Sequence, residues 1–136
     1  MTTFAVDTSV VVPALIQGHV HHDISRAVMA RLPRIPAHVA IECYSVLTRI
    51  PASYRLTASD AATLVKDICR DPVLTLPPEH YRELLAELSV ATITGGATYD
   101  ALIAATARYA GATLLTLDRR AEPVYRQLGV EFTNPG

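Results

Sequence analysis

Short, almost wholly apolar runs alternate along this chain with longer stretches whose apolar residues recur at helical spacing. The apolar runs at residues 3–6, 73–76, 112–117 and 130–133 predict strands buried on both faces. Residues 34–36 form a connector that could add another. Between them the 3.6-residue period predicts amphipathic helices. One follows Thr8 and Ser9, which are N-cap candidates, with Pro13 where an early helical turn tolerates proline. A second spans 20–32, with Val20, Ile24, Ala27, Val28 and Leu32 as its inner face. A third spans 37–50 with a stripe of Val39, Cys43, Val46, Leu47 and Ile50. Thr57 and Asp60 have capping-box spacing and open a fourth helix. Pro77 and Pro78 start a fifth, with Tyr81, Leu84, Leu85 and Leu88 inward. The last two span 100–110 and 122–128, stopped by Gly111 and Gly129.

Strands alternating with helices indicate an α/β fold with a mostly parallel sheet. The block YDALIAATARYAGATLLTLDRR, residues 99–120, organises the rest. A helix from Asp100 to Ala110 rises about 16 Å. A strand returning to Asp118 covers roughly 17–20 Å. The two acids flanking this unit therefore reach the same level. Asp7 also stands at the carboxyl end of a predicted strand, the edge where parallel sheets gather ligands.

Length and composition constrain this picture without redirecting it. At 136 residues, half of them hydrophobic and 18% charged, the chain is long enough for one cored domain, residues 1–136. No apolar run approaches the ~18 residues of a membrane span. The opening MTTFAVD lacks the basic region of a secretory signal, so a cytoplasmic location is expected. Cys43 and Cys69 sit in apolar helical contexts, which predicts free thiols. The net charge of −1 does not advertise a nucleic-acid partner. If four acids belong to a site, nine acids remain against twelve bases, eleven of them Arg. Arg suits bidentate phosphate contacts, although a GC-rich genome would produce the same bias.

Four carboxylates carry candidate chemistry: Asp7, Glu42, Asp100 and Asp118. Each alone has a structural explanation, as a helix-start acid or a surface ion-pair partner. Together, at strand ends and helix starts, they form an oxygen-only set suited to Mg²⁺ or Mn²⁺. Such a site supports hydrolysis of a phosphodiester. The cluster His19, His21, His22 with Asp23 reads as a solvated helix start. Arg49, Arg108, Arg119 and Arg120 are candidate phosphate contacts, with a solvated face as the alternative.

FAVDTSV near the N-terminus, IECYSVLTR in mid-chain and TYDALIAATARYAGATLLTLDRRA together resemble the successive signatures of the PIN-domain nucleases. More narrowly they resemble the VapC toxins of type II toxin–antitoxin pairs. The resemblance covers nearly the whole chain and is weakest over residues 51–98. It implies a central sheet of about five strands flanked by helices. It also implies a Mg²⁺ or Mn²⁺ site at Asp7, Glu42, Asp100 and Asp118, with hydroxyl support from Thr8 or Ser9 and from Thr116. Endoribonuclease action, a homodimer and a cognate VapB-like antitoxin would follow. The competing expectation is an acidic-pocket α/β binding or phospho-receiver-like module without nuclease activity. A receiver needs a lysine near its acids, and Lys66 alone is offered. A haloacid-type phosphatase would need an acid where Ser9 stands.

Overall fold

The computed structural model describes residues 2–69 and 72–136. Strand β1 (Phe4–Val6) leads into α1 (Thr8–Leu15), then α2 (His22–Met29), α3 (Ala37–Arg49) and α4 (Ala58–Ile68). A single 3₁₀ turn, Pro78–His80, enters α5 (Tyr81–Ala91). Helix α6 (Ala97–Tyr109), β2 (Thr113–Leu115), α7 (Glu122–Leu128) and β3 (Phe132–Thr133) complete the chain. The sheet runs β1-β2-β3, all parallel, with Val6 opposite Leu115 and Leu115 opposite Thr133.

Three strands form among the described residues, where about five were expected. The runs at 34–36 and 73–76 extend the sheet only through isolated parallel bridges, Ala5 with Arg34 and Pro36 with Leu74. Prolines 33 and 36 bracket the first of these segments and withhold backbone donors, so no ladder can build there. The Arg34 N–H still reaches the Phe4 carbonyl at 2.8 Å, and the Leu74 N–H reaches the Ile35 carbonyl at 2.9 Å. The expected course of the chain is kept with fewer hydrogen bonds.

Local signals explain most helix ends. Thr57 Oγ1 accepts from the Asp60 N–H at 3.1 Å, closing the start of α4. Gly111 and Gly129 take positive φ, +67° and +71°, at the ends of α6 and α7. Two inner faces differ from expectation. Helix α2 begins only at His22, and it buries Ser25 and Val28. Val20 lies 85% exposed in the preceding turn, and Leu32 is 62% exposed beyond the helix. On α5, Leu84 and Leu88 are buried while Tyr81 and Leu85 face out, so its buried stripe is half as wide as the apolar one. Helix α6 starts three residues before Asp100, after the turn at Gly95 and Gly96.

Among the described residues, no helix is long and apolar enough to cross a membrane. Cys43 and Cys69 are free; burial pushes the Cys43 thiol up to about 12. The core lies between the sheet and α1, α3 and α6, around Val10, Val39, Leu47, Ile103 and Leu114, all essentially solvent-free. Leu114→Ala should therefore cost about 2–5 kcal/mol. Urea unfolding followed by circular dichroism measures it, and a cost under 1 kcal/mol would place Leu114 outside the rigid core.

Candidate active site

Asp7 leaves the carboxyl end of β1 and caps α1. Its carboxylate accepts from the Ser9 N–H at 3.1 Å and from the Ser9 hydroxyl. Its other oxygen accepts from the Tyr125 hydroxyl of α7 at 2.7 Å. The residue is only 4% exposed. Burial raises its pKa, and the hydrogen bonds from Ser9, Thr116 and Tyr125 oppose that rise. Asp7 is thus both the acid that starts α1 and a buried carboxylate at the sheet edge.

The expected hydroxyl supports divide the work. Ser9 Oγ also accepts from the Leu117 N–H at 2.8 Å, which joins the end of β1 to the segment after β2. Thr116 Oγ1 accepts from the Asp118 N–H at 3.0 Å and lies 3.4 Å from Ser9 Oγ. Thr8 turns the other way and donates its hydroxyl to Glu42 on α3. Glu42 also sits 3.6 Å from the His38 imidazole one turn earlier. His38 in turn stacks on Tyr99, ring planes 3° apart.

Asp100 projects from the first turns of α6 and Asp118 from the loop after β2. Among the described residues, Asp100 receives no side-chain or backbone hydrogen bond. Burial pushes its pKa up to about 6, and the charges of Asp118, Glu42 and Asp7 push in the same direction. Asp118 accepts from the Arg120 N–H at 3.0 Å, and the Arg120 guanidinium stands 3.5 Å from it. Glu42, Asp100 and Asp118 line one cleft of about 540 Å³; Thr8 and Ser9 line it too, with Asp7 buried behind them.

Of the arginines, Arg49 and Arg120 line this cleft, and Arg119 is exposed outside its lining. Arg108 is engaged elsewhere, gripping Glu87 through two bonds of 2.8 and 2.9 Å. Lys66 is exposed on α4 and does not line the cleft, so the arrangement lacks a receiver's lysine. The sequence pattern misses Tyr125 and places two cleft-lining histidines elsewhere. Tyr125 sits in the inward stripe of α7, where a buried phenol needs a partner for its hydroxyl. His19 and His21, read there as a solvated helix start, line the acidic cleft.

As placed, no three Asp, Glu, His or Cys side chains among the described residues stand close enough to enclose a metal ion. The donor chemistry nonetheless fits a hard cation. It is all oxygen, it comes from four separate elements, and Asp100 keeps its lone pairs free. Mg²⁺ retains several waters and takes only one or two carboxylates directly, so wider spacing is compatible with it.

The PIN-domain family profile matches residues 4–127. The chain belongs to the PIN-domain family. Within it, the chain is 42% identical over 127 residues to Ribonuclease VapC40 of Mycobacterium tuberculosis, covering 93% of this chain and 95% of that protein. Ribonuclease VapC27 of the same organism is also 42% identical, over 129 residues, covering 93% and 92%. This is a PIN domain of the VapC kind. Two solved structures share the fold. PAE2754 from Pyrobaculum aerophilum superposes with a TM-score of 0.63 at 22% identity, covering 96% of this chain and 90% of that one. FitAB bound to the IR36 DNA fragment gives 0.66 at 16%, covering 98% and 95%.

Two variants probe the site without any substrate. In the unfolded chain an Asp titrates near about 3.9, whereas Asp100 in the fold sits at about 6. A raised acid pKa contributes stability below the unfolded value and loses it as pH rises through the folded one. In EDTA, Asp100→Asn should therefore melt above wild type at pH 7.5 and level with it at pH 4. A variant that melts lower at pH 7.5 would show that Asp100 is not crowded by the other acids. Tyr125→Phe should cost about 1.5–3 kcal/mol in urea unfolding, the scale of a hydrogen bond to a charged group. An unchanged midpoint would remove Tyr125 from the support of Asp7.

Proposed function

We propose that this PIN domain, residues 1–136, is a Mg²⁺- or Mn²⁺-dependent endoribonuclease and the toxin of a type II toxin–antitoxin pair. The observation that carries the reading is the convergence of Asp7, Glu42, Asp100 and Asp118, from four elements, on one edge of a parallel sheet. The names of the two relatives at 42% identity, both ribonucleases, support the reaction class.

Asp7, Asp100 and Asp118 would hold the cation, with Glu42 a direct or water-mediated ligand. A bound Mg²⁺ or Mn²⁺ would supply charge neutralisation at the phosphate and activate a water toward it. The chain's own part is placement. Ser9 and Tyr125 fix the Asp7 carboxylate from opposite sides, and Thr116 fixes the start of the Asp118 loop. Glu42 is held by Thr8. Arg49 and Arg120, which line the cleft, are suited to the phosphates on either side of the cut, with exposed Arg119 not part of the lining. Water oxygen bonds to phosphorus, the bridging P–O bond breaks, and the departing ribose oxygen takes up a proton. RNA is thereby cut within the chain.

A cognate VapB-like antitoxin is proposed as the regulating partner. An acidic cleft is complementary to an Arg or Lys side chain, which would neutralise the acids and occupy the place of substrate and cation together. Homodimerisation, as the resemblance implies, would cover exposed apolar side chains such as Tyr81 and Leu85, one turn apart on α5.

Structured RNAs incubated with the protein should be cut with Mn²⁺ and left intact with EDTA. Asp118→Asn should lower the rate on the order of 10²-fold, the scale of one lost preorganised electrostatic group. Equal cutting in EDTA, or by the variant, would overturn the metal-dependent reading.

A further inference from the structure

We propose that His19 and His21, on the turn between α1 and α2, form the wall of the cleft that receives the base beside the scissile phosphate and so help to choose the RNA. The proposal rests on the ribonuclease reading and assigns that site a specificity element. His19 and His21 line the same cleft as Glu42, Asp100 and Asp118. Among the described residues, neither ring is hydrogen-bonded or ion-paired to a carboxylate of the cleft. A cation with its waters, at roughly 30 Å³ each, fills only part of the cleft's about 540 Å³. The remaining space suits a nucleotide.

The turn is a built scaffold. The His19 N–H bonds to the Ile16 carbonyl at 3.0 Å, and the His22 N–H bonds to the His19 carbonyl at 3.0 Å. The His22 ring is already used, donating from Nδ1 to the Pro13 carbonyl at 2.8 Å. Gly18 packs beside Tyr54, where an added Cβ would lie 3.5 Å from the phenol oxygen. His19 Nδ1 accepts the His21 backbone N–H at 3.0 Å. That nitrogen therefore carries no proton, and Nε2–H is the donor. Burial and the two neighbouring histidines lower the His19 pKa and keep the ring neutral. A neutral, flat ring with one N–H offers a base a stacking face and one hydrogen bond, and offers a phosphate little. The charge for phosphate comes from Arg49 and Arg120. The rings of His19 and His21 lie 5.7 Å apart and tilted by 36°, leaving them as separate faces. Unstacked bases laid on flat side chains are the usual way single-stranded RNA is read.

The test uses full-length wild type, His19→Ala, His21→Ala and His19→Phe with Mn²⁺ and an RNA pool randomised around one cleavage site. Each Ala variant should raise KM about tenfold, within the range of one lost stack, with kcat nearly unchanged and the base preference at the cut flattened. His19→Phe should recover most of the KM without restoring the preference, since it keeps the face and loses the N–H. Stabilisation by Mn²⁺ in thermal melts should match wild type throughout. Ala variants with wild-type KM and preference would overturn the proposal. So would a fall in kcat accompanied by weaker Mn²⁺ stabilisation, because the histidines would then act on the acids. A wild type that cuts no RNA would overturn the ribonuclease reading itself, whereas failure confined to the histidine variants leaves that reading standing.

Discussion

A carboxylate placed out of water at the end of the first strand sets the terms for this molecule. Burying an ionised Asp7 without partners would cost several kcal/mol. The chain answers with Ser9 from the first turn of α1 and Tyr125 from α7, one on each carboxylate oxygen. These bonds connect residues at opposite ends of the sequence. They close the sheet edge, because Ser9 also binds the backbone after β2. The same contacts that make Asp7 tolerable therefore fix the distance between β1, the β2 exit and α7. A site whose geometry matters is thereby built from the interactions needed to bury its deepest member.

The other acids stand under the opposite condition. Asp100 has no protein donor among the described residues, and its carboxyl is raised by burial and by three like charges. This is strain of an electrostatic kind, and a cation bound there would relieve it. Functional sites commonly hold such destabilising arrangements, offset by the rest of the fold. Here the offset is the apolar packing of α6, where Ala101, Ile103, Ala104, Ala105 and Ala107 are all buried. Small side chains let α6 lie close against the sheet, and that closeness carries Asp100 to the edge where Asp7 and Asp118 already stand.

Much of this was legible from residue patterns, for identifiable reasons. Gly111 and Gly129 marked helix ends because positive φ is a backbone requirement that glycine meets cheaply. Asp7 and Asp118 were legible because they follow short apolar runs, and Asp100 because it precedes an Ala-rich helix. The strand count was not legible. A short apolar run fixes burial, while ladder formation depends on the neighbour, and prolines 33 and 36 deny that neighbour its donors. The inner face of α2 was misread because hydropathy cannot place a serine in the core; Ser25 is fully buried there and Val20 is not. Tyr125 and the cleft position of His19 and His21 depend on contacts between residues far apart in sequence. Periodicity carries no information about those.

The charge layout also orders events at the cleft. Three carboxylates on its lining oppose the approach of a polyanion, and two arginines that favour it, Arg49 and Arg120, share that lining. Arg120 is partly committed to Asp118 already. The net charge of −1 gives no long-range attraction to compensate. A phosphate therefore meets net repulsion at the acids, and a divalent cation bound there would offset it. An antitoxin cation seated among the acids would meet no such repulsion, which gives a protein side chain an electrostatic advantage over RNA in the metal-free state.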